Sequence, residues 1–204
     1  MNDELNTVIY TNNEQKNIVM LNGLRMVDRR EGLKTDINQL YKKLLPELKD
    51  SNNISFVNNN TSYIFYILNL KVTNLSQIDE FLKSDLDKKK ILFVQSITKK
   101  VFKQIRSTYE NTEVFFISEF LEDIASKVFI PKHQLLNETE KEEYLNSFSN
   151  KDLAKISQYD MMSRYFNAQI NDIFRIERYN LNSCKSIFYR TVIKDDVDII
   201  FNKF

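Results

Sequence analysis

Two glycines and two prolines in 204 residues leave this chain little of the backbone freedom that folds commonly spend on tight turns and ligand-cradling loops. Glycine enters the left-handed region without steric cost and lets a backbone approach a phosphate closely. A P-loop and a dinucleotide fingerprint both need clustered glycines, so neither is present. Asparagine tolerates left-handed backbone better than most other residues.

An apolar content of 42%, with 12% aromatic residues, suffices for one large domain or two modest ones. Basic and acidic residues number 29 and 28, leaving a charge of +1, so any contact with nucleic acid has to come from a local patch. Cys184 is the single cysteine and cannot close an intramolecular disulfide, which favours a reducing compartment. The opening MNDELNTVIYTNNEQKN lacks the continuous apolar stretch of a signal peptide, and no run approaches the roughly 20 apolar residues needed to span a bilayer. The chain reads as cytosolic, nuclear or viral, without a membrane partner.

The first segment predicts a helix from Asn12 to Asn22 closed by Gly23, then a second helix in which Ile37, Leu40, Tyr41, Leu44 and Leu45 share a face. Thr35 or Asp36 is available as its N-cap, and Pro46 is expected to stop or bend it. ISFV and YIFYILNL, separated by Asn58, Asn59, Asn60 and Thr61, read as a hairpin. NLSQIDEFLKSDL reads as a helix through Asp85, and KKKILFVQ as a strand buried on both faces. TKKVFKQIRSTY is helical with Val101, Phe102 and Ile105 inward, and EVFFIS is a further buried strand. This order predicts an α/β domain with crossover connections.

The pattern changes near residues 123 to 128, with no long linker and no internal repeat. Asn137 and Glu140 form a capping box ahead of a short acidic helix, and a second short helix begins near Asp160. DIFRIERY and KSIFYRTVI alternate as strands of a sheet covered on one face, Cys184 falls in the polar turn between them, and the tail from Lys194 is apolar enough to dock.

The succession FIPKHQLL, capped acidic helix, LAKISQYDMMSRYFNAQINDIFRIERY and SIFYRTVI resembles the assembly domain of a small RNA polymerase subunit. The family occurs in archaea and, in eukaryotes, as the fifth subunit shared by all three nuclear polymerases. The resemblance covers about residues 126 to 193. Pro131 and His133 supply a Pro-x-His element; Asp160, Arg164, Tyr165 and Phe166 supply an Asp-Pro-x-x-Arg-Tyr-Phe-Gly element; Tyr189 and Arg190 supply a terminal Tyr-Arg. Met161 stands where the family has proline, and Asn167 and Asn171 stand where it has glycine. Such departures, with the asparagine and lysine bias, suit a divergent viral or protist member.

What the resemblance implies is a restriction-endonuclease-like α/β jaw domain over residues 1–125 and a small mixed-sheet α+β assembly domain over 126–204. No cofactor and no catalytic or metal-binding residue is implied. The assembly domain is expected to dock on the largest polymerase subunit, beside other small subunits, through Pro131, His133, Asp160, Arg164, Tyr165, Phe166, Arg175, Tyr189 and Arg190. The jaw is expected to lie beside downstream DNA, with Thr98, Lys99 and Lys100 nearest to it. Location follows from this: the nucleus for a cellular eukaryotic protein, the virion or a cytoplasmic replication site for a viral one.

The rival reading is a nuclease, or a degenerate nuclease fold serving as an adaptor in another nucleic-acid complex. A nuclease of that fold clusters carboxylates around a divalent cation, with a lysine two positions after the last acid on a strand. The strand YIFYILNLK offers Asn69 before Lys71, which cannot supply the charge, and Asp79 and Glu80 fall on a solvated helix. His133, the single histidine, reads as a structural residue in a turn. Lys99, Lys100, Lys103 and Arg106 read either as a solvated helix face or as a contact to DNA phosphates.

Overall fold

The computed structural model describes residues 10–148, 153–180 and 184–201. Three sequence readings fall partly outside the described residues: the first nine positions of the opening, the turn before Cys184, and the last three residues of the tail. The chain divides into two compact units, one ending at Asp123 and the other beginning at Ile124.

In the first unit, helix α1 (Asn12–Glu31) starts at a capping box. The Glu14 amide donates to the Thr11 hydroxyl at 3.3 Å, and the Thr11 amide donates to the Glu14 carboxylate at 2.7 Å. The helix does not end at Gly23, as the sequence predicts. It runs on to Glu31 and closes at Gly32, whose φ is 70°. Gly23 is buried in mid-helix because the Phe65 and Phe93 rings lie against its backbone; a Cβ there would come within 2.8 Å of the Phe65 ring.

Helix α2 (Ile37–Asp50) starts at Asp36, whose carboxylate accepts from the Asn38 and Gln39 amides. Pro46 lies inside this helix and does not stop it. Leu44 and Leu48, on either side of the proline, are both buried, and their packing holds the last turn in place.

Strands β1 (Asn53–Asn58) and β2 (Thr61–Val72) form the expected hairpin, with Asn59 and Asn60 at φ 48° and 68°. Positive φ at both central residues is the type I′ turn, whose twist matches that of the strands. The Asn58 and Asn59 side-chain amides donate to the Gly32 carbonyl, tying this turn to the end of α1.

The predicted helix 74–86 is shorter than its pattern. It comprises a 3-10 turn at Leu75–Gln77 and then α3 (Asp79–Lys83), with Asp85 outside the helix at φ 42°. What ends it is a contact from the strand that follows. The buried ammonium of Lys90 donates to the carbonyls of Phe81, Leu82 and Ser84, satisfying groups that another helical turn would have used. Strand β3 (Lys89–Ile97), helix α4 (Lys99–Thr108) and strand β4 (Thr112–Phe116) follow, and Ile117–Phe120 leaves the sheet as a 3-10 turn.

The sheet order is β1-β2-β3-β4, with β1/β2 antiparallel and the other two pairs parallel. Phe56, Phe65, Phe93, Phe115 and Phe120 run through the core in ring contact, with centroids 4.9 to 6.1 Å apart. Edge-to-face pairs of this kind contribute about 0.5–1.5 kcal/mol each beyond their burial.

The second unit is a mixed sheet in the order β5-β7-β8-β6. Its elements are β5 (Lys132–Leu135), α5 (Glu138–Ser147), β6 (Ala154–Ser157), α6 (Met161–Tyr165), β7 (Ile173–Asn180), β8 (Cys184–Ile193) and α7 (Asp198–Phe201). The Asn137/Glu140 capping box forms as the sequence predicts. Strands β5 and β6 have no counterpart in the sequence reading, because four residues each are too few to show a period. Asn167 and Asn171 take φ 50° and 73°, the conformation glycine would supply. Met161 fills the first helical position of α6, where proline fits naturally. Cys184 opens β8, exposed and at φ 56°. Val197 and Ile200 are buried, so the apolar side of the tail is packed away through α7. Both units are therefore mixed α and β. Among the described residues no helix is long and apolar enough to cross a membrane.

Gly23→Ala sets a helix-propensity gain of up to about 1 kcal/mol against a ring that cannot retreat, since Phe65 is fully buried between Phe56 and Phe93. Overpacking of this kind costs about 1–3 kcal/mol, so the expected result is a net loss of about 1 kcal/mol in urea denaturation.

Candidate interaction surfaces

Cross-strand partners share a face, so the register of the second sheet sorts the side chains singled out in the sequence. His133 is opposite Ile176, which is opposite Phe188; Leu135 is opposite Phe174, which is opposite Arg190. These residues and Arg178 occupy one face. Arg175, Glu177 and Tyr189 occupy the other, with Arg175 opposite Tyr189. The nine residues expected at a polymerase interface therefore do not form a single patch.

Asp160, Arg164, Tyr165 and Phe166 build the cover over one end of the first face. The Asp160 carboxylate caps α6 by accepting from the Met162 amide at 2.9 Å. Arg164 is 9% exposed, and its Nε donates to the Tyr159 carbonyl at 3.3 Å. Tyr165 is 2% exposed and turned into the unit, so it shapes the surface without forming part of it. Phe166 packs on the cluster of Ile156, Phe174, Ile176 and Val192.

The other end of that face is open. A cleft of about 270 Å³ is lined by Pro131, His133, Ile176, Arg178, Phe188 and Arg190. His133 Nδ1 lies 2.7 Å from the Pro131 carbonyl, so the proton sits on Nδ1 and donates to that oxygen, while the ring meets the Phe174 ring at 5.7 Å. Burial pushes the His133 pKa below its ordinary value of 6.5. The Pro131 carbonyl and the charge of Asp160 pull it back up, and Arg190 adds to the lowering. Phe188 is 48% exposed, and Arg178 and Arg190 are exposed. Sequence reasoning missed Arg178 and Phe188. The available signal was the two-residue alternation joining Phe188 to Arg190 and Ile176 to Arg178.

On the opposite face, Tyr144 of α5 lies over Tyr189 with ring centroids 4.2 Å apart. Glu177 sits between Lys185 and Arg175, which lower its pKa to about 2. Arg175 and Tyr189 are thus engaged within the unit.

In the first unit, Thr98 is the N-cap residue of α4, with Lys99 and Lys100 in the first turn. The first turn holds no acid. The Thr98 hydroxyl is buried and finds no hydrogen-bond partner among the described residues. Lysines at a helix N-terminus oppose the macrodipole, at about 0.3–1 kcal/mol each. Asn69 is committed elsewhere: its side-chain amide donates to Asn12 at 2.6 Å and Gln15 at 3.0 Å. Among the described residues, no three of the His, Cys, Asp and Glu side chains come together in a way that could hold a metal ion.

Comparison with known proteins converges on one family. The RNA polymerase Rpb5 C-terminal domain matches residues 122–192, which is most of the second unit. Over 94% of its length the chain is 29% identical to DNA-directed RNA polymerase subunit 5 of Acanthamoeba polyphaga mimivirus, covering 98% of that protein. Over 68 residues it is 34% identical to subunit Rpo5 of Archaeoglobus fulgidus, covering 90% of that protein. Over half its length it is 32% identical to subunit 5B of RNA polymerases IV and V of Arabidopsis thaliana, covering 48% of that protein. A chain with this unit and these relatives is a subunit of a DNA-directed RNA polymerase. It belongs to the Rpb5 family, as a divergent member.

His133, the single histidine, is expected to titrate below pH 6.5 in the folded chain, read from its ring proton shifts by NMR. With the folded value below the unfolded one, its contribution to stability is complete above pH 6.5 and is lost as pH falls through the folded value.

Proposed function

We propose that this chain is a non-catalytic polymerase subunit whose second unit is an assembly domain docked on the largest subunit. In this reading the first unit is a jaw domain beside downstream DNA. The observation that carries it is the open arginine and aromatic face of the second unit. Arginine and aromatic side chains are the groups most enriched at the centres of protein interfaces. Pro131, His133 and Arg190 belong to that face. Asp160, Arg164, Tyr165 and Phe166 act by building its covered end, and Arg175 and Tyr189 by stiffening the sheet from behind. Other small polymerase subunits are further partners.

The jaw, with a fold expected to be similar to that of restriction endonucleases, would hold the duplex in place while the large subunits carry out nucleotidyl transfer. Thr98, Lys99 and Lys100 are the proposed contacts, and they would grip phosphates without reading sequence. The nuclease alternative is weakened by Asn69, whose amide is held by Asn12 and Gln15 on the strand where a catalytic acid would stand. By kinship with the mimiviral and plant proteins, the site of action is a viral transcription site or a nucleus.

Affinity purification of the tagged chain from its native source is expected to bring down the large polymerase subunits. An unrelated complex in their place, or magnesium-dependent DNA cleavage by the purified chain, would sink the reading. Changing Lys99 and Lys100 to Glu should weaken DNA retention by the assembled polymerase and flatten its salt dependence. The slope of log K against log salt should fall by about 0.9 for each phosphate no longer neutralised.

A further inference from the structure

The open cleft of the second unit carries more information than its exposure. Its floor is one lateral row across three strands, His133–Ile176–Phe188. The row two residues to one side carries Arg178, and the row two residues to the other side carries Arg190. At about 3.4 Å per residue, successive rows on one face lie about 7 Å apart. That is also the spacing of side chains i, i+2 and i+4 of an extended peptide lying along the strands.

The charges are as ordered as the spacing. Arg25, Arg29, Arg30 and Arg175 each have a carboxylate partner within their own unit. Among the described residues the guanidinium groups of Arg178 and Arg190 have none, and no acidic side chain lines the cleft. Two uncompensated guanidinium groups bracket a half-exposed phenylalanine ring, and a planar guanidinium fork matches a carboxylate bidentately.

From this we infer that the cleft binds an extended acidic segment of another polymerase subunit, with the pattern acid–x–apolar–x–acid. The apolar side chain lies on Phe188 and Ile176, and one carboxylate meets each of Arg178 and Arg190. The inference rests on the docking reading above and supplies its partner chemistry. Nucleic acid fits less well, because the centre of the cleft is apolar.

The probe is a fluorescein-tagged heptapeptide, Ser-Glu-Ser-Phe-Ser-Glu-Ser, titrated with the full chain. Binding by anisotropy should be at least tenfold weaker for Arg178→Glu with Arg190→Glu, and for Phe188→Ser, all exposed positions. The same peptide with lysine in place of glutamate should not bind. Amide NMR shifts on peptide addition should centre on Ile176 and Phe188. Equal binding of the lysine peptide, an unmoved double variant or no shift at these positions would overturn the inference. So would displacement of the peptide by a single-stranded oligonucleotide of higher affinity. In reconstitution with the large polymerase subunits, wild-type and double variant associating equally would reject this cleft and leave the docking reading intact. Failure of the wild-type chain to associate would reject both.

Discussion

Four asparagine backbones held in the left-handed region set the geometry on which both sheets depend. Asn59 and Asn60 fix the β1/β2 register at a two-residue turn, and Asn167 and Asn171 turn the chain between α6 and β7. A non-glycine residue in this region costs on the order of 1–2 kcal/mol, less for asparagine than for most. The cost is accepted because a one-residue slip would move every side chain to the opposite face. At the hairpin, the Asn58 and Asn59 amides also bond to the end of α1, so the turn and the helix stop support each other.

In the second unit, register is what converts a run of polar and aromatic residues into two surfaces of different character. On one face, Tyr144 of α5 covers Tyr189 and the Lys185–Glu177–Arg175 network balances the charges, while Tyr179 and Ile187 stay exposed. The other is closed at one end by the α6 region and left open at the other, with its arginines uncompensated. Arg175 and Arg190 are similar in sequence context and opposite in consequence. One faces a glutamate two residues along its own strand, and the other faces solvent.

Local signals identify the correct elements wherever the cause is local. The hairpin, the Asp36 cap and the Asn137/Glu140 box each need only a few neighbouring residues to form. Gly23, Pro46 and the end of α3 defeat a local reading for a shared reason. Gly23 answers to rings on β2 and β3, Pro46 is overridden by core burial of Leu44 and Leu48, and α3 stops where Lys90 reaches its carbonyls. Strands β5 and β6 exist because β7 and β8 offer them partners, which no four-residue window can reveal.

The sequence by itself determined the family, through the types and spacing of Pro131, His133, Asp160, Arg164 and Arg190 that carry the resemblance. A one-dimensional pattern preserves residue type and spacing. Tertiary structure alone decided which of them face outward, that Tyr165 is interior, and that Arg178 and Phe188 join Arg190 around one cleft. Strand pairing brings residues ten or more positions apart onto one face, and the balance of packing that selects that pairing is a property of the whole unit.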